Sequence, residues 1–355
     1  MITVIRSSAS NEERAQLMTL LCRVSGSQRP IATIRINEQE VIALDGSILD
    51  AQVRTTISQL RAVERIIPIK TPYKLVSRTF NAQDSTIVVG DALGGHPVVI
   101  GGSSPTIIAG PCAVENREQL LTAARAVKTA GAQILRGGAF KPRTSPYQFQ
   151  GLGVEGLHLL EEARQETGLP VITEVMEPDL VETVAKYADI LQIGSRNMQN
   201  FPLLRAAGQH SHGRPVMLKR GLAATIEEWL LAAEYIVAAG NPNVILCERG
   251  IRSFDTQTRN LLDLSCVPLL RELTHLPIIV DPSHATGRRE LVPTMSRASI
   301  AAGADGLILE VHPDPNSALC DGRQSITPEQ LQRVVHETTL IAQALGGKAG
   351  LSYVA

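Results

Sequence analysis

Eight short apolar runs, separated by stretches of helical character, fill the chain from Pro105 onward and leave few architectures open to it. The runs are Thr106–Gly110, Gln133–Gly137, Val171–Val175, Ile190–Gly194, Val216–Arg220, Val244–Glu248 (its apolar part ending at Cys247), Ile278–Asp281 and Gly306–Val311. Each reads as a strand, and the segments between them carry helix-start signals. Asn116 caps with Gln119 as its third-position partner, Pro178 sits where a first helical turn tolerates it, and Thr225 with Glu228 forms a capping-box pattern. Thr327-Pro328 with Gln330 opens a last helix that Gly346 can close. Leu120, Ala123, Ala124, Val127 and Ala130 keep the one-sided spacing of a helix lying on a sheet. Eight β/α units in roughly 240 residues predict an α/β fold, a (β/α)8 TIM barrel over residues 105–345. A doubly wound open sheet is the competing fold, but no Gly-x-Gly-x-x-Gly follows the first strand to support it.

The chain ahead of the barrel divides in two. Residues 1–70 read as a small ferredoxin-like α+β domain of order βαββαβ. Its strands are Ile2–Ile5, Ile31–Ile36, Val41–Leu44 and Val63–Ile69, with one helix opened by Ser10 and Glu13 and a second around Ile48–Leu60. Residues 71–104 are a connector, in which Gly90, Gly94-Gly95 and Gly101-Gly102 interrupt short apolar pieces able to form a small hairpin capping the next domain. Residues 346–355 form a C-terminal tail.

Composition excludes several classes. A formal net charge of -1 over 355 residues argues against a nucleic-acid or anionic-membrane surface as the main partner. With no apolar run near 18 residues and no charged-then-apolar leader, neither a membrane span nor a signal peptide is expected. Cys22, Cys112, Cys247, Cys266 and Cys320 are odd in number and widely spaced, which suits reduced thiols and a cytoplasmic location.

In a barrel, chemistry sits at the C-terminal strand ends. Reading those ends in turn gives Cys112, then Arg136 with Lys141, Glu174, Arg196, Lys219 with Arg220, Glu248 with Arg249, Asp281 with His284, and Glu310 with His312. Cys112, His284, Glu310 and the loop residue Asp321 offer one sulfur, one imidazole and two carboxylates, a donor set for a divalent metal if strands one, seven and eight adjoin. Taken alone, Cys112 reads more readily as a small buried hydrophobe than as a ligand. Arg136, Lys141, Arg143, Arg196, Lys219 and Arg249 exceed what one carboxylate needs and point to two anionic groups. Lys219 also permits a Schiff-base reading, because Arg220 beside it would favour the free amine. The loop after strand two is notable: no Asp or Glu occurs between Gln119 and Val154, while Arg136, Lys141 and Arg143 cluster there with Thr144 and Ser145.

These motifs resemble a known family. Gly110-Pro111-Cys112-Ala113-Val114-Glu115, the run Leu135–Pro146 containing Lys141-Pro142-Arg143-Thr144-Ser145, Leu218-Lys219-Arg220-Gly221 and Asp281-Pro282-Ser283-His284 are similar to 3-deoxy-D-arabino-heptulosonate 7-phosphate (DAHP) synthase. The likeness runs from about Pro105 to Leu345. The domain before it resembles the regulatory extension of one bacterial subgroup. The resemblance implies condensation of phosphoenolpyruvate with erythrose 4-phosphate, the first step of the shikimate pathway. It implies a metal held by Cys112, His284, Glu310 and Asp321, manganese foremost, with zinc, iron or cobalt as alternatives. Arg136, Lys141, Lys219 and Arg249 would hold phosphoenolpyruvate, with Arg196 nearby, and Arg143, Thr144 and Ser145 the erythrose phosphate. Lys141 would donate a proton to the developing alkoxide, and Lys219 would act at the reacting end. An aromatic amino acid as effector and a homotetramer are further implications. Alternatives are 3-deoxy-octulosonate 8-phosphate synthase, a lysine Schiff-base aldolase on the same barrel, or a non-catalytic amino-acid sensor. Cys320, beside Asp321, departs from the family pattern; it reads either as a bystander thiol or as a point where mild oxidation would inactivate the site through loss of the ligand thiolate.

Overall fold

The computed structural model describes residues 1–25, 33–36, 39–44 and 51–346. Residues 31–32, 37–38 and 48–50, parts of the expected first domain, and 347–355 of the expected tail lie outside the described residues. The first unit comprises β1 (Ile2–Ile5), α1 (Asn11–Ser25), β2 (Ile34–Ile36), β3 (Gln39–Ala43), α2 (Ala51–Ser58) and β4 (Val63–Ile67). Its sheet has the order β2-β3-β1-β4, antiparallel throughout. Ser10 and Glu13 cap α1 reciprocally, each backbone N–H donating to the other's side chain at 2.9 and 3.2 Å. Alternation along β1 sends Ile5 toward Leu17 and Leu21 of α1 and Ile57 of α2. Ile2 and Val4 turn the other way and join the large core shared with the barrel.

A hairpin of β5 (Ile87–Val89) and β6 (Val98–Ile100) lies within the connector. The barrel strands are β7 (Thr106–Gly110), β8 (Ile134–Arg136), β9 (Val171–Glu174), β10 (Ile190–Ile193), β11 (Val216–Lys219), β12 (Val244–Glu248), β13 (Ile278–Val280) and β14 (Gly306–Glu310). All pair in parallel, and β14 pairs with β7, so the sheet is closed and the open-sheet alternative is excluded. The helices around it are α3 (Arg117–Thr129), α4 (Val154–Thr167), α5 (Val181–Ala185), α6 (Phe201–His210), α7 (Ile226–Ala238), α8 (Cys266–Leu273), α9 (Pro282–Thr286), α10 (Val292–Ala301) and α11 (Pro328–Ala344). Capping boxes open α7 at Thr225/Glu228 and α11 at Thr327/Gln330. Asn116 caps α3, but the Gln119 side chain turns to the N–H of Glu115 instead of closing a box. Pro178 begins a 3-10 turn, Pro178–Leu180, that leads into α5.

The barrel interior decides where chemistry can occur. Ile108, Ile134, Ile172, Ile190, Met217, Ile245, Ile279 and Ile308, one from each strand, form an inner apolar cluster with Cys247. Ile87, Val89, Val98 and Ile100 of the hairpin join this cluster, so the hairpin closes the N-terminal end of the barrel. Side chains two residues apart on a strand share a face. The next inward positions, toward the C-terminal end, are therefore Gly110, Arg136, Glu174, Gln192, Lys219, Cys247, Asp281 and Glu310. One register step thus converts an apolar plug into a polar mouth. Gly110 allows the closest approach there: a Cβ on it would lie 2.1 Å from the carbonyl oxygen of Arg136.

Candidate active site

A cavity of about 420 Å³ opens at this mouth. Lys141, Arg143, Thr144, Arg196, Lys219, Arg249, His284 and Asp321 of the expected residues line it. Arg136 does not: it is buried behind the wall, where Nη2 donates to the Cys112 carbonyl at 3.1 Å and Nη1 lies 3.1 Å from Glu310 Oε1. Ser145 is not on the wall either, and its Oγ accepts from the Tyr147 N–H at 3.4 Å. Sequence reasoning missed Arg252 and Arg259, which also line the cavity from the loop after β12, and it missed Gln192. Alternation from Ile190 would have found Gln192. No periodicity marks which way the two loop arginines point.

Lys141 reaches the cavity because its loop is pinned at both ends. Its own N–H donates to Gln150 O at 2.9 Å, and Gly153 N–H to Ala139 O at 2.9 Å. Its Nζ donates to the Cys112 carbonyl at 2.9 Å. Glu174 stands opposite, accepting from Gln192 Nε2 at 3.2 Å. Gly194 leaves room for it, since a Cβ there would lie 2.1 Å from Glu174 Oε1. Arg249 is buried and donates to Gly250 O at 3.1 Å. Arg220 forks between Glu248 and Asp263 at 3.0 and 2.9 Å and faces away from the cavity. That fork makes it structural.

The electrostatic centre is Asp281, fully buried, whose Oδ2 meets both Lys219 Nζ at 2.6 Å and His284 Nδ1 at 2.7 Å. Its Oδ1 accepts the His284 backbone N–H at 2.9 Å. Burial pushes the Asp281 carboxyl upward, but His284 and Lys219 outweigh it and hold it well below the usual carboxylate range. Burial also lowers the His284 pKa, only partly opposed by Asp281 and Glu310. A neutral imidazole facing an acceptor-only carboxylate carries its proton on Nδ1. The lone pair of Nε2 then points toward Glu310 Oε1 at 3.3 Å and Asp321 Oδ2 at 3.9 Å.

Acceptors facing acceptors in a buried site call for a cation between them. Glu310 Oε1 is buried without a hydrogen bond, although Arg136 Nη1 is within ion-pair distance, because no N–H is aimed at it. Burial raises the Glu310 pKa, but His284 and Arg136 outweigh this and keep it ionised. Two donors on one tetrahedral ion stand about 3.3–3.8 Å apart. Cys112 Sγ to Asp321 Oδ2 is 3.6 Å, close to that spacing. The four expected ligands, joined by Cys320, fall into two overlapping groups of convergent donors. One is His284, Glu310 and Asp321; the other is Cys112, Cys320 and Asp321. A sulfur, an imidazole and two carboxylates fit a divalent transition ion. Asp321 sits at a left-handed φ of 51°, a conformation costing a non-glycine residue about 1–2 kcal/mol, which the surrounding contacts sustain.

The profile of the DAHP synthetase I family matches residues 79–344. The phospho-2-dehydro-3-deoxyheptonate aldolase of Thermotoga maritima is 48% identical over 355 residues, covering 98% of this chain and 99% of that protein. The solved structure of the DAHP synthase from the same organism superposes with a TM-score of 0.75 at 47% identity, covering 98% of each chain. A truncated form of 3-deoxy-D-arabino-heptulosonate 7-phosphate synthase from T. maritima gives 0.71 at 52% identity, over 78% of this chain and 98% of that one. The 2-dehydro-3-deoxyphosphooctonate aldolase of Syntrophotalea carbinolica is 34% identical over 276 residues, covering 72% of this chain and 98% of that protein.

Proposed function

The chain belongs to the DAHP synthetase I family, and we infer from that membership and from its barrel mouth the reaction it carries out. It condenses phosphoenolpyruvate with D-erythrose 4-phosphate and water to 3-deoxy-D-arabino-heptulosonate 7-phosphate and phosphate. The observation that carries the reading to this chain's own residues is the charge of the cavity. Seven cations (Lys141, Arg143, Arg196, Lys219, Arg249, Arg252 and Arg259) face two carboxylates, Glu174 and Asp321. Two phosphomonoesters and a carboxylate together carry roughly four to five negative charges near neutral pH. One anionic group would leave most of those cations unmatched.

In this reading Cys112, His284, Glu310 and Asp321 hold a divalent ion, manganese foremost. When bound, the ion would polarise the aldehyde of the sugar phosphate. Lys219 and Arg249 bind phosphoenolpyruvate, with Arg196 at the rim, and Lys141 holds a proton beside the reacting carbons. Arg136 acts from behind the wall by placing Cys112 and Glu310. Arg143 and Thr144 take the erythrose phosphate, while Ser145 orders their loop through its contact with the Tyr147 N–H. Lys219 is ion-paired to Asp281 rather than set in an apolar pocket, which does not favour imine formation. The small N-terminal unit, residues 1–70, serves as a regulatory domain for an aromatic amino acid in a cytoplasmic homotetramer. Among the described residues no helix is long and apolar enough to cross a membrane.

A phosphate-release assay tests the whole reading. With phosphoenolpyruvate, release is expected with erythrose 4-phosphate, to be abolished by chelator and restored by manganese. Preference for arabinose 5-phosphate would make the chain an octulosonate synthase. Chelator-resistant turnover with borohydride trapping would make it a Schiff-base aldolase, and no turnover a sensor. Repeating the assay with each aromatic amino acid identifies the effector.

Oxidation gives a further prediction. Cys112 Sγ and Cys320 Sγ lie 2.9 Å apart as free thiols. Peroxide on metal-free protein is expected to convert the two thiols to a disulfide with release of two waters, abolishing turnover until thiol reductant is added. Unchanged activity and two free thiols at these positions by mass spectrometry would remove the idea.

A further inference from the structure

Cys320 has no part in the proposed reaction, yet it is 3% exposed and turned inward toward Cys112. The two sulfurs and Asp321 Oδ2 lie mutually within 4.8 Å. On the other side Phe149 packs against Cys112, Ala113 and Cys320, giving the thiols an apolar wall. Toward the cavity, Arg143 Nη1 reaches Cys320 Sγ at 2.6 Å. The left-handed turn at Asp321 presents both Cys320 and Asp321 inward from adjacent positions. This soft corner shares only Asp321 with the His284, Glu310 and Asp321 group.

We propose that Cys112, Cys320 and Asp321 form a second cation position, selective for thiophilic d10 ions such as zinc or cadmium. It overlaps the harder position and excludes it, and it rests on Cys112 and Asp321 being metal ligands as inferred above. Thiolate pairs select zinc and its congeners, whereas carboxylate and imidazole donors suit manganese. One ion is held at a time, because Asp321 Oδ2 is common to both groups and Cys112 serves either. Two sulfurs on one tetrahedral ion stand about 3.8 Å apart, so loading parts the thiols by about 1 Å, within reach of side-chain rotation. Each bound dication displaces the thiol protons to solvent.

The test is cadmium titration of reduced, metal-free, full-length protein, reading the ultraviolet sulfur-to-cadmium charge-transfer band per bound ion. Manganese binding is read separately by electron paramagnetic resonance. The band of the parent protein is expected to be about twice that of Cys320→Ser, with cadmium affinity at least about tenfold weaker in the variant. Manganese affinity and manganese-dependent turnover are expected to stay within about threefold. His284→Ala is expected to lose manganese binding and keep the two-sulfur band. Equal bands in parent and Cys320→Ser would overturn the proposal, as would loss of cadmium and manganese together in His284→Ala. Manganese binding untouched by His284→Ala would instead overturn the metal-centre reading, which keeps the two failures apart.

Discussion

A Lys141→Met protein is expected to lose about 10²–10⁴ in kcat, the usual worth of a positioned proton donor. The KM for phosphoenolpyruvate is expected to rise roughly tenfold to a hundredfold, matching one charged hydrogen bond of about 1.5–3 kcal/mol. Burial alone would push the Lys141 pKa down. Cys112 and Cys320, when ionised, together with Glu174 outweigh that and raise it above the ordinary lysine value. The ammonium is therefore kept on a side chain only 7% exposed, with its proton held for an acceptor inside the cavity. Lys141→Arg separates the two roles. Arginine keeps the charge but does not yield its proton, so KM should return toward the parent value while kcat stays low. Steady-state kinetics on both variants decide the matter, and full turnover in Lys141→Met would sink the proton-donor role.

Asp281→Asn is expected to weaken metal binding by about 10–100-fold and to raise the KM for phosphoenolpyruvate as well, although Asp281 touches neither ligand in this reading. The backbone N–H of His284 requires an acceptor at the Oδ1 position. An asparagine that satisfies it must turn its NH2 toward Lys219 Nζ and His284 Nδ1, at the places now 2.6 and 2.7 Å away. A donor facing the lysine ammonium is repulsive. A donor facing Nδ1 forces the imidazole proton onto Nε2, the atom aimed at Glu310 and Asp321. The alternative flip orphans the backbone N–H. Either way both partners suffer, and measured manganese affinity together with KM reports it. The carboxylate is held well below its usual range, so this network persists as pH falls through the unfolded carboxyl value and fails only below it, near the depressed folded value. Manganese affinity unchanged in Asp281→Asn would show that His284 is oriented without it.

Much of the architecture was legible because the apolar runs are short, numerous and evenly spaced. Thr225 with Glu228 and Thr327 with Gln330 announced their helices by local hydrogen bonding that needs no tertiary partner. The connector was less legible. Ile87, Val89, Val98 and Ile100 read as pieces of a capping hairpin, but the ring of seven isoleucines and Met217 that buries them exists only once the barrel closes. Arg220 illustrates the opposite limit. It sits beside Lys219 at a strand end, but alternation turns it outward to Glu248 and Asp263. Arg136 ends β8 and Lys141 lies in the loop that follows it; both donate to the Cys112 carbonyl, yet only Lys141 reaches the cavity.

The eight-fold β/α rhythm, the candidate metal donors and the surplus of cations can all be read along the chain, because periodicity, capping and charge are properties of neighbouring residues. Which of those groups meet is settled only on folding. Asp281 became the shared partner of Lys219 and His284, and Cys320 became the neighbour of Cys112 across 208 positions of chain. Such contacts depend on barrel closure and on the register that turns every second side chain inward, and no local pattern encodes them.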